Sequence, residues 1–152
     1  MKTVLLKIAI CIAIALFTLT ARGQEIHKLK LTDAEIPAGY KASPKMLCKS
    51  VQAASFYAQT DLYESMLGTV KNKAYQSFAF KGDKGTILYL EYEEDFAGEA
   101  FLQGLLWGES DKPTKAHPEE YLIQGRYLII WSFAPDSRLK KVSKAKVVQH
   151  FN

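Results

Sequence analysis

The chain has 152 residues and a formal charge of +4, a length that makes one domain with a real hydrophobic core. Lys2, Lys7 and Arg22 lie in an N-terminal stretch without acidic residues, and taking these three from the 20 Lys plus Arg leaves 17 against 16 Asp plus Glu. A body so close to neutral lacks the basic footprint of a protein that grips nucleic acid through phosphates, which excludes that class.

Residues 1–23 have the layout of a secretory signal peptide. Two lysines precede an unbroken apolar run of ten, Ile8 to Phe17, and Ala21 and Gly23 supply small residues for cleavage before Gln24. A spanning helix needs roughly 20 apolar residues, so the run is too short for an anchor. Ile10 before Cys11 is too large for a lipidation site. The expectation is a periplasmic or secreted protein with no stable membrane anchor after leader removal, and a single domain over residues 24–152.

The run Glu25 to Leu31 alternates, with His27, Leu29 and Leu31 on one side, and predicts a short edge strand carrying His27 at its surface. Residues 32–40, with Pro37 and Gly39, read as irregular. Ser43 before Pro44 predicts a helix start, and Met46, Leu47, Val51, Ala54 and Ala58 follow at helical spacing to about Gln59. Cys48 falls inside that helix. Its only possible partner, Cys11, leaves with the leader, so it is expected to be a buried small hydrophobe rather than a staple. Asp61 and Glu64 have capping-box spacing ahead of a short turn that ends at Gly68.

The stretch Tyr75 to Trp107 carries the strongest pattern. Phe78 and Phe80 share one side of a strand, Lys81 to Gly85 supply turn chemistry, and Thr86 to Tyr92 resume strand character with both sides largely apolar. Asp95 is placed to cap a helix in which Phe96, Ala97, Ala100, Phe101, Leu105 and Leu106 recur at helical spacing before Gly108. After the polar connection 109–116 the order repeats. Glu120 to Gln124 and Arg126 to Phe133 read as strands about a turn at Gly125, and a helix follows from Pro135 and Asp136 to about Gln149. A slide of forty residues puts Gly125 on Gly85 and Leu128 on Leu88, a hint of duplication. In the last helix Leu139, Val142, Ala145 and Val148 should face inward, and Lys140, Lys141, Lys144 and Lys146 outward.

Motifs that carry chemistry are missing. There is no GxSxG, HExxH, CxxC, EF-hand loop or GxGxxG in the chain, and GDKGT at 82–86 has the spacing of a hairpin turn rather than a phosphate loop. Cys48 with His117 and an acidic partner such as Asp111 is the only nucleophilic set the inventory allows, and the flanks of Cys48 match no catalytic cysteine signature. His117 with Glu119 or Glu120 lacks a third metal ligand, and His150 sits where a helix end welcomes it. The remaining feature is the strand 126–133, with Tyr127, Ile129, Trp131 and Phe133 on one side and Leu128 and Ile130 on the other. If both repeated helices cover the same face, only one helix remains for the other. Tyr89, Tyr127 and Trp131 are then the candidate binding residues, an aromatic surface for a protein partner or apolar ligand.

These patterns predict an α+β fold, a two-layer arrangement with an antiparallel sheet of four to five strands and helices mainly on one face. The expected function is a small exported binding module without a cofactor, an inhibitor or immunity-like protein acting by protein–protein contact. The alternatives are a cysteine-dependent hydrolase using Cys48 and His117 and a non-enzymatic subunit of an envelope assembly.

Overall fold

The computed structural model describes residues 24–152, so the leader expected over residues 1–23 lies outside them. Two hairpins build the sheet. In the first, β2 (Val70–Phe80) and β3 (Asp83–Tyr92) are joined by Lys81 and Gly82, and Lys81 itself takes the left-handed conformation at φ 54°. Gly85, read from the sequence as a turn residue, lies inside β3. A Cβ there would run into the Ser132 carbonyl and the Phe133 ring, so its role is close approach of the neighbouring strand. In the second hairpin, β4 (Glu120–Gln124) and β5 (Tyr127–Ser132) meet about Gly125, at φ 55°. With the edge strand β1 (Lys41–Ser43), these form one antiparallel sheet in the order β1-β2-β3-β5-β4, in register at Ile87 with Trp131 and Leu88 with Ile130. The fold is α+β, as the sequence pattern predicts.

Among the described residues five helices pack on this sheet: α1 (Gln24–Leu29), α2 (Val51–Ala58), α3 (Glu64–Leu67, preceded by a 3-10 turn at Thr60–Tyr63), α4 (Glu99–Trp107) and α5 (Arg138–Phe151). Where the sequence suggested an edge strand at 25–31, the chain is helical. Ile26 and Leu29, three apart, are both buried, and Lys28 pairs with Glu25 at 2.6 Å across one turn. The helical period thus buries two apolar residues that alternation would place on opposite sides.

The helix expected from Ser43 begins instead at Val51. The Ser50 hydroxyl caps it, accepting from Ala53 N at 3.2 Å, while the Ser43 hydroxyl accepts from Lys45 N at 3.1 Å. Residues 46–50 stay irregular because oxygens on the sheet claim their amides, an alternative to helix that side-chain hydrogen bonds commonly offer. The Asp61–Glu64 capping box does not form either; the Glu64 carboxylate takes the Thr69 hydroxyl.

Each face of the sheet carries its own core. On the front face Phe78, Ile87, Tyr89, Ile129, Trp131 and Phe133 pack with α1 and α5 through Ile26, Leu29, Leu139 and Val147. On the back face Leu88, Leu90, Tyr92, Leu128 and Ile130 pack with α2, α3 and α4 through Ala53, Phe56, Leu67, Leu102 and Leu106. Helices α4 and α5 therefore lie on opposite faces, contrary to the expectation that the repeated units cover one face. The residues leading out of each strand decide it. Tyr92 ends β3 on the back face and Phe96 follows it there, whereas Phe133 leaves β5 on the front and meets Leu139. A rotation that exchanges the two hairpins would keep both helices on one face, so the hinted duplication has no counterpart here.

The phase of α5 also differs from expectation: Leu139, Lys140, Ser143 and Val147 are inward and Val148 is exposed. Lys140 is buried because it reaches the carboxylate of Glu120, as Lys144 does from the next turn. Among the described residues no helix is long and apolar enough to cross a membrane.

Candidate functional site

The aromatic side proposed from the sequence is covered. Tyr89 and Trp131 are fully buried beneath α1 and α5; Trp131 Nε1 donates to Ser143 Oγ at 2.8 Å, and the Tyr89 hydroxyl donates to Gln76 Oε1 at 3.0 Å. Tyr127 is half-buried, its ring 5.7 Å from that of Phe151. The segment read as an edge strand folds into α1, and α5 lands on the same face, so the cover presumed thin is two helices. Tyr89 and Trp131 are core and Tyr127 packs at its edge, so the three do not form an open recognition surface.

Cys48, expected to be buried, is only partly so, and it lies against a polar row that is buried in the back face. Ser77, Thr86 and Ser132 stand side by side on β2, β3 and β5, with Ser77 Oγ and Thr86 Oγ1 2.8 Å apart. Glu119, fully buried, ends the row: its Oε1 accepts from Ser132 Oγ at 2.7 Å and from Ser50 N at 3.0 Å. Leu47 N donates to Thr86 Oγ1 at 2.7 Å and Lys49 N to Ser132 Oγ at 2.6 Å. The strap 47–50 is thus pinned to the sheet by three backbone amides, with Cys48 held between them.

Burial pushes the Cys48 thiol up to about 11, and the Glu119 carboxylate acts in the same direction against the hydrogen bonds from Thr86 and Ser132. A nucleophilic cysteine needs the opposite, a thiolate favoured by positive charge or a helix N-terminus. His117 does not provide it. Its backbone N–H donates to Thr114 Oγ1 at 3.1 Å, its Nδ1 is buried without a hydrogen-bond partner among the described residues, and it bonds neither Cys48 nor Asp111. Glu119 and Glu120 diverge, one into the polar row and the other toward Lys140 and Lys144. Among the described residues no three His, Cys, Asp or Glu side chains are arranged to hold a metal ion.

A cleft of about 400 Å³ opens elsewhere, between α3 and the connection from β3 to α4. Two glycines shape it. Gly68, at φ 92°, turns the chain out of α3 into β2, and Gly98 lets the start of α4 lie directly on α3, since a Cβ there would strike the Leu67 side chain and the Met66 carbonyl. Glu64, Glu93, Glu94 and Asp95 line the cleft with Met66 and Tyr92, and no basic side chain does. All four carboxylates are on exposed residues, and among the described residues none has a salt bridge. Met66 is 55% exposed, and Leu62, four residues earlier, 70%.

Tyr92 differs from the other lining residues. It is 2% exposed, its ring lies 4.9 Å from that of Phe96, and its hydroxyl has no hydrogen-bond partner among the described residues. Burial raises its phenol well above the ordinary value. Sequence reasoning missed this site because its residues come from two segments more than twenty positions apart. The run Glu93–Glu94–Asp95 was its only local signal.

A more open hollow at the β4 edge, lined by Trp107, Tyr121, Pro113, Glu99 and Glu120, is less inviting because its polar groups are already engaged. Trp107 Nε1 donates to the Glu119 carbonyl at 2.8 Å, the Tyr121 hydroxyl donates to Glu99 Oε1 at 2.7 Å, and Glu120 holds its two lysines. Compared with protein-family models, with curated proteins and with solved structures, the chain gives no match in any of the three.

Proposed function

We propose that this chain is a small exported binding module that acts by protein–protein contact through the cleft between α3 and α4, in the manner of an inhibitor or immunity-like protein rather than an enzyme. One observation carries the reading. Met66, on the wall of a formed cleft, and Leu62, four residues earlier, stand in water, although helices cover both faces of the sheet and, apart from Val51 and Val148, the other large apolar side chains are drawn inward. Leaving such a side chain exposed forgoes roughly 1.5 to 3 kcal/mol of burial, which a partner covering the pair would recover. The protonated Cys48 thiol and the unconnected His117 argue against the hydrolase alternative.

The test is a paired substitution, Leu62→Asp with Met66→Asp, on residues whose exposure leaves the fold intact. The expected result is an unchanged thermal melt and loss of a stoichiometric partner that co-purifies from an envelope fraction and binds again when purified separately. Retention of that partner by the double variant would move the contact to another surface. Cys48→Ser should leave partner capture unchanged, whereas a hydrolytic activity abolished by that change would restore the enzyme reading.

A further inference from the structure

We infer that the outer edge of β4 is a dimer interface, on which two copies of this chain pair β4 with β4 in antiparallel fashion about a two-fold axis at Leu122 and so join their two sheets into one. This surface is separate from the cleft between α3 and α4 and adds to the function proposed for it.

The backbone makes the first argument. Tyr92 N donates to the Arg126 carbonyl at 2.9 Å, so along β5 it is Leu128, Ile130 and Ser132 that turn their amides and carbonyls to β3, while Tyr127, Ile129 and Trp131 turn theirs to β4. Gln124, Leu122 and Glu120 answer them from the other strand. Tyr121 and Ile123 therefore aim two N–H and two C=O groups out of the sheet, and among the described residues none of the four has a partner. The opposite edge of the sheet is guarded: β1 is three residues long, carries Lys41 and is followed at once by Pro44. β4 is five residues long and contains neither lysine nor proline. An edge left in that condition is a template for another strand.

The second argument says which strand. An antiparallel pair must set outward groups against outward groups, and the register centred on Leu122 pairs all five residues of β4 with their counterparts. Tyr121 meets Ile123 on either side of the axis, with N–H and C=O exchanged at both places, and Leu122 meets its own twin. A register centred on Tyr121 or Ile123 leaves residues overhanging. Charge agrees with the central register. Glu120 is the only charged residue of the strand; it comes opposite Gln124 rather than a second Glu120, and its carboxylate is already met by Lys140 and Lys144 of its own chain. Both cores also end at this edge, the front one in half-buried Leu122 and the back one in half-buried Tyr121 and Ile123. Pairing sets leucine on leucine in front and tyrosine on isoleucine behind, aromatic against β-branched, a favoured cross-strand combination. A foreign strand could use the same backbone groups, but the seam offers it no charge to recognise, whereas a second copy matches it residue for residue, as a two-fold interface requires.

Sedimentation of the purified protein over a wide range of concentration reads the association directly, and a reversible dimer is expected. Leu122→Lys sets lysine against lysine on the axis and should weaken the dimer about tenfold or more. The Leu62→Asp, Met66→Asp double variant should dimerise as the parent does, which separates this surface from the cleft. Cross-linking in a Cys48→Ser background reads the register. Leu122→Cys places two thiols directly opposite in a non-hydrogen-bonded pair, where side chains stand closest, and mild oxidation should join the copies quickly. Gln124→Cys, whose twin lies well along the seam, should not be joined. Because cysteine is small and apolar, the Leu122→Cys result decides the matter even where Leu122→Lys fails to fold.

A monomer at every concentration up to roughly 1 mM, a dimer indifferent to a folded Leu122→Lys variant, or cross-linking no faster at 122 than at 124 would each overturn the inference. So would a monomeric parent whose Leu122→Lys variant folds but loses a partner from the envelope fraction, since the edge would then belong to another protein.

Discussion

At Cys48 the environment differs from what a lone buried cysteine suggests, and the difference changes what substitution should do. The thiol sits against the Thr86 and Ser132 hydroxyls rather than in an apolar pocket. A serine there finds partners, so Cys48→Ser should cost less than about 1 kcal/mol in urea unfolding, below the 1 to 3 kcal/mol expected for an unsatisfied hydroxyl. With the thiol pushed up to about 11, its reaction with a disulfide reagent should be slow at pH 7 to 8 and should accelerate steadily toward pH 11. Fast labelling at neutral pH would contradict the burial that raises it. Trp131 is the opposite case. Trp131→Ala opens a cavity beneath α5 and strands Ser143, and should lose roughly 3 to 5 kcal/mol. The pattern of the strand read at Arg126 to Phe133, apolar on both sides, was legible in the sequence, but whether such a strand is covered or open is decided by residues far from it. Here Ile26 and Leu29 decide it, in a segment whose alternation also suits a strand.

The elements that could be read in advance are those whose signal is local. Both hairpins follow from their turns and strand periodicity, and α4 and α5 from theirs except at their starts: α4 begins at Glu99 behind Gly98, with no cap from Asp95, and α5 at Arg138 behind the Ser137 hydroxyl rather than at Pro135 and Asp136. The strap at 47–50 was illegible for the converse reason. Helical spacing runs through Met46, Leu47 and Val51, yet Thr86, Ser132 and Glu119, all distant in sequence, take the amides that a helix would use. Three polar residues at matching depth in otherwise apolar strands were the available clue. Glu119 is the anchor, since its Oε1 serves both Ser50 and Ser132. Hydrogen bonds to a charged group contribute about 1.5 to 3 kcal/mol each, so Glu119→Ala should destabilise by roughly 3 kcal/mol or more. Limited proteolysis should then cut within 45–50 before anywhere in the sheet, and cleavage spread evenly over the chain would show that the strap is not held by this residue.

For the molecule as a whole, acid should act first on the front face. Lys146 and the Thr32 amide hold the Glu35 carboxyl down at about 2, and Lys140 and Lys144 hold that of Glu120 below its ordinary value against the burial that would raise it. Both carboxylates tie α5 to the rest of the chain. A depressed carboxyl stabilises the fold fully above its unfolded pKa, near 4.3, and this contribution fades as pH falls through the folded value. Urea midpoints should therefore hold steady from pH 7 to about 5 and drop between about 4.5 and 2. Glu35→Gln should lose part of that slope, a small part because the pair is solvent-screened; an unchanged slope would mean that the Lys146 contact contributes nothing. The arrangement of the two cores also fixes an order in time. Ribosomes deliver α2, α3 and β3 to α4 early, so the back-face helices are available before β5 is made, whereas the front face waits for α5, which follows every strand. Until Leu139 and Val147 emerge, Trp131 and Phe133 have only α1 for cover. A chain interrupted between Ala134 and Ser137 would leave the ribosome with its sheet made and one side still adhesive, which is the kind of surface chaperones and proteases recognise.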